Sequence, residues 1–330
     1  MNSDLIFGRF DKATVIAFAC SILLVLVGAL AKPDFLSFDY ITQQLQTAAF
    51  LGIIATGTML IILLGHIDLS VPWTVALGAM MATGAQGLLG RFIGPDLALY
   101  LAIPFGVLCG MLVGLVNGFG VAYLRAPSMI FTLGVNAVAQ GLMVYHTGGF
   151  TPQDKASPIM RELAVGRLIP GIPNPLLLWL LVGAVIVFML TRTTLGRRIY
   201  AIGNNPIAAQ FSGVRVDRIR FLLFMLTGLM SGVASVLLTS RIASTRPTIA
   251  TGFELQVVTM VVLGGVNILG GSGTIAGVVI AAFVMGLLTF GFGLFNVPGI
   301  VQSIFIGGLL IGVIALPIVG GKIARRWKAA

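Results

Sequence analysis

The chain has 330 residues, of which 58% are hydrophobic and only 9% charged, and its mean hydropathy is +1.06. That balance excludes a water-soluble globular domain, because there is too little polar side chain to cover a solvated surface. The net charge of +10 would suit a nucleic-acid binder, but the twenty basic residues stand in short segments between apolar runs, where membrane topology accounts for them better than a phosphate-binding face.

In chain order the apolar runs are 13–31, 46–64, 71–90, 97–123, 129–147, 175–190, 220–240, 254–269, 273–294 and 299–319. They predict an all-α polytopic membrane protein of about ten transmembrane helices, since lipid offers no partner to a free backbone N–H or C=O. No linker divides them, so residues 1–330 read as a single transmembrane domain. Asp4 and Asp11 interrupt the start and run 13–31 is long enough to span, so no cleaved signal is expected. Cys20 and Cys109 lie inside apolar runs, which argues against a disulfide framework or a metal site.

Lys and Arg set the sidedness. With the N-terminus inside, the inner segments carry thirteen basic residues and the outer ones seven, which predicts both termini, and the loop 192–219, in the cytoplasm. The proline-bearing segment 148–174 then faces outward.

Two runs are broken rather than looped. Leu64-Gly-His-Ile-Asp-Leu-Ser-Val-Pro joins the second run to the third, and Gly270-Gly-Ser-Gly joins the eighth to the ninth, each with almost no linker. Either these are tight cytoplasmic turns, or they are interrupted helices whose freed backbone lines a substrate pathway. Gly264, Gly265, Gly270 and Gly271 belong to the second break. In the first, Asp68 and Ser70 are the polar residues, and a charged carboxylate at mid-membrane on a lone helix would cost roughly 2.5–3.5 kcal/mol. Asp68 therefore needs a partner: a helix-capping role is favoured, with gating or substrate contact the alternative. His66 reads as a residue of the cytoplasmic interface, with no companion ligand for a metal.

Glycines at spacing four, Gly106, Gly110, Gly114 and Gly118, predict a close helix seam, and Gly228 with Gly232 and Gly308 with Gly312 repeat the pattern. Asn117 and Asn136 lie in or near such seams, as interhelical hydrogen-bond partners in one reading and substrate ligands in the other. Glu254 opens the eighth run beside Gly252, where the helix dipole favours an acid, and Gln256 follows it.

The long polar stretch is 192–220. Within it Asn205 suits an N-cap, Pro206 the first helical position and Gly213 a left-handed stop, which predicts a two-turn helix over 206–212. Ile207 and Phe211 fall on one face of it, and a helix this short must rest on something else.

The run Thr194-Leu-Gly-Arg-Arg-Ile-Tyr-Ala-Ile-Gly-Asn-Asn-Pro-Ile-Ala-Ala-Gln-Phe-Ser-Gly-Val resembles the cytoplasmic coupling loop of bacterial ABC-type sugar importer permeases, the group holding the ribose, arabinose and xylose permeases. Gly65-His-Ile-Asp-Leu-Ser-Val, Pro127-Ser-Met-Ile-Phe-Thr-Leu-Gly and Val262-Leu-Gly-Gly-Val-Asn-Ile-Leu-Gly-Gly-Ser-Gly-Thr extend the resemblance in the same order. His66, Pro72 and Trp73 depart from the family's usual Gly-Gly-Ile-Asp-Leu-Ser-Val-Gly-Ser. The resemblance implies that Asn204, Asn205, Pro206, Ile207, Ala208, Ala209, Phe211 and Gly213 couple the chain to an ABC ATPase subunit. It further implies a second permease subunit, identical or related, and a periplasmic sugar-binding protein. Membrane lipid surrounds the assembly, and no nucleic acid is expected. Asp68, Ser70, Asn117, Thr132, Asn136, Glu254, Gln256 and the four glycines of the second break are the candidates for the pathway or gate.

No phosphate loop with its lysine and no Ser/His/Asp arrangement occurs, so the chain is read as a non-enzyme without cofactor or metal. The expected function is passage of a monosaccharide or small polyol across the bacterial inner membrane by alternating access. An ion-coupled secondary sugar transporter and a passive polyol channel are the alternatives.

Overall fold

The computed structural model describes residues 37–150 and 155–329, together with positions 26 and 30. The rest of run 13–31, with Cys20, and the basic residues Arg9, Lys12 and Lys32 lie outside them. Among the described residues there are twelve helices and no strand beyond isolated bridges. In chain order they are α1 (Phe38–Leu63), α2 (Val71–Ile93), α3 (Pro95–Ala122), α4 (Ser128–Thr147), α5 (Pro158–Val165) and α6 (Asn174–Arg192). Then follow α7 (Thr194–Asn204), α8 (Pro206–Phe211), α9 (Val216–Ile242), α10 (Phe253–Leu263), α11 (Ile275–Leu294) and α12 (Gly299–Ala329). Six of the described helices, α1, α3, α4, α6, α9 and α11, contain apolar stretches long enough to cross a membrane. This is an all-α polytopic membrane protein; among the described residues the helices meeting that length and hydropathy number six, short of ten.

The differences from the sequence reading are local. Helix α1 starts at Phe38 rather than at 46, because Ser37 opens it and its first two turns are only partly apolar. The eighth run is helical only as far as Leu263, where Gly264 and Gly265 stop a helix of 11 residues. At 1.5 Å per residue it covers roughly 16 Å, about half a bilayer core. Helix α5 was read as loop; Ser157 accepts the Met160 N–H and Pro158 takes the first position, and Met160 and Ala164 are buried one turn apart.

Helix α1 is the axis of the bundle. From Ala48 to Leu64 almost every side chain is buried, as expected of a helix that is apolar all round. Trp179 of α6 lies on it, donating from Nε1 to Thr56 Oγ1 at 3.2 Å, while that hydroxyl donates to the Gly52 carbonyl at 2.7 Å. The indole occupies the space a side chain at Gly52 would fill.

The predicted glycine seam joins α3 to α9. A Cβ on Gly110 would stand 2.6 Å from the Gly228 carbonyl and the Gly232 Cα, and one on Gly118 would stand 2.9 Å from the Phe221 carbonyl. Gly106 turns instead to the Gly78 carbonyl of α2, so one glycine stripe packs two neighbours. Without a hydrophobic force between helices in lipid, such backbone approach is a principal source of association. Gly308 and Gly312 correct the expectation: nothing lies within 4 Å of a Cβ at either, so among the described residues this pair forms no seam.

The two ends of the bundle are distinct. At one, the end of α1 and the loop that follows α10 meet α7. At the other, Thr83 of α2 shares a 3.0 Å hydrogen bond with Thr245, Gln46 donates to the Ala164 carbonyl, and Arg241 donates to Thr47 at 2.7 Å. Segments 155–174 and 243–252 thus close the end opposite to 192–213.

Gly228→Val should disrupt the seam, because its Cβ and methyls would enter the backbone of Gly110 and Gly114. Overpacking of this kind costs about 1–3 kcal/mol, so thermal unfolding in detergent should shift to lower temperature. Gly308→Val should leave it unchanged.

Candidate functional site

Helix α1 stops at Leu63 and α2 begins at Val71, and the seven residues between them are held from three sides. Asp68 is 3% exposed. Its Oδ1 accepts the Ser70 N–H at 2.8 Å and the Ser70 hydroxyl at 2.7 Å. Ser70, not Asp68, is the N-cap of α2 and makes no side-chain cap bond, so the carboxylate works two residues upstream of the helix, as an Asx turn. Asn117 of α3 donates from Nδ2 to the Ser70 hydroxyl at 2.7 Å and more distantly to Asp68 at 3.5 Å. From α4, Thr132 accepts the Leu69 N–H at 2.9 Å and Ser128 the Ile67 N–H at 3.4 Å.

Three N–H groups freed by the interruption, those of residues 67, 69 and 70, therefore each have a side-chain acceptor. This is the requirement that buried irregular backbone imposes. Four predicted residues, Asp68, Ser70, Asn117 and Thr132, form one cluster. Ser128 belongs with them and was missed; it lies one helical turn before Thr132, which is the signal that could have found it.

Asn136 is one turn beyond Thr132 but outside the cluster, and its Oδ1 is buried without a hydrogen bond, as is that of Asn117. Glu254 and Gln256 sit in the first turn of α10, roughly 15 Å along the helix from its broken end. Glu254 Oε2 is buried and unpartnered. His66 is half-buried in the loop after α1, with its ring 6.3 Å from that of Phe224 and Nε2 buried without a hydrogen bond. Among the described residues no three His, Cys, Asp or Glu side chains gather as a metal site would need.

The second interruption is built from glycine. Gly265, Gly270, Gly271 and Gly273 all have positive φ, which L side chains rarely adopt. The loop meets its own needs: Gly270 N–H donates to the Asn267 carbonyl, Leu269 N–H to Asn267 Oδ1 and Asn267 N–H to the Ser272 carbonyl. Gly264 packs backbone to backbone on Gly277 and Val278 of α11.

The two breaks touch. Gly271 N–H donates to the Leu63 carbonyl at 3.0 Å, and Gly65 lies against the Leu269 carbonyl. Helix α7 sits on the joint. A side chain at Gly203 would collide with the Leu63 carbonyl and the Gly271 N–H, Asn204 Nδ2 donates to the Gly271 carbonyl at 3.2 Å, and Tyr200 donates to the Gly273 carbonyl at 2.8 Å. Burial pushes the Tyr200 hydroxyl up from its ordinary value, so it stays a protonated donor.

Helix α7 itself was read as loop. Thr193 caps it by accepting the Gly196 N–H, and Ile199 and Ile202 are buried while Arg197 and Arg198 stay exposed. Leu195, Ile199 and Ile202, at spacing four and three behind a threonine cap, carried the signal.

Helix α8 follows without a gap. Asn205 Oδ1 accepts the Ala208 N–H at 3.0 Å, Pro206 opens the helix, Gly213 has φ +80°, and the helix ends at Phe211 with Ser212 as its cap, one residue earlier than expected. Ala209 is 5% exposed and anchors the helix to the core, whereas Ile207 is 66% and Phe211 89% exposed.

Apolar helices with two mutually bonded interruptions and an apolar knob beside them define a multi-pass membrane protein of transporter type. The chain belongs to the family described as branched-chain amino acid transport system / permease component, which matches residues 40–314. Among its relatives is a ribose import permease protein of Haemophilus influenzae, 32% identical over 87% of this chain and 88% of the relative. An L-arabinose ABC transporter permease protein of Azospirillum brasilense is 35% identical over 86% and 81%, and a xylose transport system permease protein of Escherichia coli is 30% identical over 84% of each. No solved structure matches the chain.

Asp68→Asn keeps an acceptor oxygen for the Ser70 N–H and should unfold close to the wild-type temperature. Asp68→Leu strands that N–H and the Ser70 hydroxyl and should lose about 1–3 kcal/mol. Equal stability of the Leu and Asn variants in detergent would remove the Asx turn from the frame of the break.

Proposed function

We propose that the chain is the membrane-spanning subunit of an ABC importer that passes a monosaccharide or similar small polyol across the bacterial inner membrane. The observation that carries this reading is Phe211, 89% exposed on a helix of six residues that is capped at both ends and anchored through Ala209. A short helix with no other purpose has no reason to offer an aromatic ring to water, and burying one contributes about 1.5–3 kcal/mol. A partner with an apolar socket fits, and the ATPase subunit of an importer supplies one. The chain carries no phosphate loop of its own, so ATP is hydrolysed on that partner.

Sugar rather than amino acid is supported by the relatives, which cover more than four fifths of this chain and are named for ribose, arabinose and xylose. A soluble periplasmic protein delivers the substrate, and a second permease subunit, identical or related, completes the pathway. Asn205 to Gly213 moves as a lever when the ATPases close, and the bundle alternates between its two open sides. The pathway is drawn through the interrupted helices, with Asp68, Ser70, Asn117, Thr132 and Asn136 on one side and Gly264, Gly265, Gly270 and Gly271 on the other. Glu254 and Gln256 lie toward its outer mouth.

Both termini and 192–219 are assigned to the cytoplasm. Cysteine labelling in sealed cells checks this: a cysteine at Lys155 should react from outside and one at Asn204 should not, and the reverse pattern would invert the topology. Phe211→Asp should leave the protein inserted while ATPase co-purification and ATP-driven uptake are lost. Normal docking and uptake in that variant would remove Phe211 from the interface. Uptake by the wild type that survives ATP depletion would favour an ion-coupled transporter or a channel instead.

A further inference from the structure

The hydrogen bonds that reach the second broken loop come from α7. Three of its residues reach the joint between the interruptions. Gly203 lies so close to the Leu63 carbonyl and the Gly271 N–H that no side chain fits there. Asn204 Nδ2 donates both to the Tyr200 carbonyl at 2.8 Å, within its own helix, and to the Gly271 carbonyl at 3.2 Å. The Tyr200 hydroxyl reaches furthest, to the Gly273 carbonyl at 2.8 Å, just before Thr274 caps α11.

Only one residue, Asn205, stands between α7 and α8, and it is at once the C-cap of the first and the N-cap of the second. Its N–H donates to the Ala201 carbonyl and its side chain accepts the Ala208 N–H, so the two helices share a bonded corner rather than a free hinge. Val214 N–H returns to the Ala209 carbonyl and closes the far side.

We infer that Tyr200 is a positioning residue of the coupling machinery, whose hydroxyl ties α7 to the second interrupted loop so that displacement of α8 moves both interruptions together. The inference rests on the importer reading and adds to it the route of transmission. The first break follows because Gly271 N–H holds the Leu63 carbonyl: pulling the loop at 271–273 pulls the end of α1. The three backbone carbonyls in this chain, those of Leu63, Gly271 and Gly273, are fixed acceptors, and a glycine loop lets them travel without moving side chains through the core. Nothing else in the loop needs a phenol; the tyrosine ring alone would pack equally well as phenylalanine.

Tyr200→Phe tests this because it deletes the hydroxyl and keeps the ring. In proteoliposomes holding the complete transporter, with whichever of ribose, arabinose and xylose the wild type carries best, the variant should keep its ATPase bound and hydrolysing. Sugar delivered per ATP should fall roughly five-fold, the effect of about one net hydrogen bond. Unchanged delivery per ATP overturns the inference, and so does loss of the bound ATPase, which would make Tyr200 part of the docking surface. Gly203→Ala should uncouple more severely; if it fails to reach the membrane, Tyr200→Phe decides alone. A wild-type protein that binds no ATPase and shows no ATP-driven uptake defeats the importer reading itself, a result distinct from every outcome of the variant.

Discussion

A helix that stops inside a packed bundle leaves carbonyls without intrahelical partners, and a buried one must find its donor elsewhere in the protein. The Leu63 carbonyl, at the end of the most buried helix, is one such group, and it accepts the N–H of Gly271 from the other interrupted segment. Each break thus supplies what the other lacks. The remainder of the site arranges itself around this exchange: Gly203 and Gly270 are bare because the backbones must come that close, and Asn204 and Tyr200 take the neighbouring carbonyls.

The first break solves the same problem differently. Its freed N–H groups are met by side chains of α2's own lead-in and of α4, and its carboxylate is met by Ser70 and Asn117. Such a network is costly when incomplete, and Asn117 Oδ1 is left over. Asn136 Oδ1, one turn beyond Thr132, is likewise buried without a hydrogen bond.

Much of this was legible in the sequence because membrane helices obey few rules. Apolar length gave the all-α membrane class and the six helices long enough to span among the described residues, glycine spacing gave the α3–α9 seam, and Asn205, Pro206 and Gly213 gave α8 almost to the residue. What escaped was tertiary. Gly308 and Gly312 have the same spacing as Gly228 and Gly232 but no backbone opposite them among the described residues, and spacing alone cannot say which stripe meets a neighbour. Helix α7 was hidden by its charge, since Arg197 and Arg198 make it read as loop although Ile199 and Ile202 keep a helical period. The contact between the two breaks had no local signal, because a hydrogen bond from residue 271 to residue 63 is written in neither segment.

The bare backbone at Gly203 also bears on how such proteins can be recombined. Because three chain segments, from α1, α7 and the loop before α11, cross there with no side chain between them, the segment 194–213 is shaped to its seat. The same segment transplanted from a relative would have to arrive with its matching 63–65 and 269–273, or be trimmed to Pro206–Phe211, where the exposed face can change without disturbing the crossing.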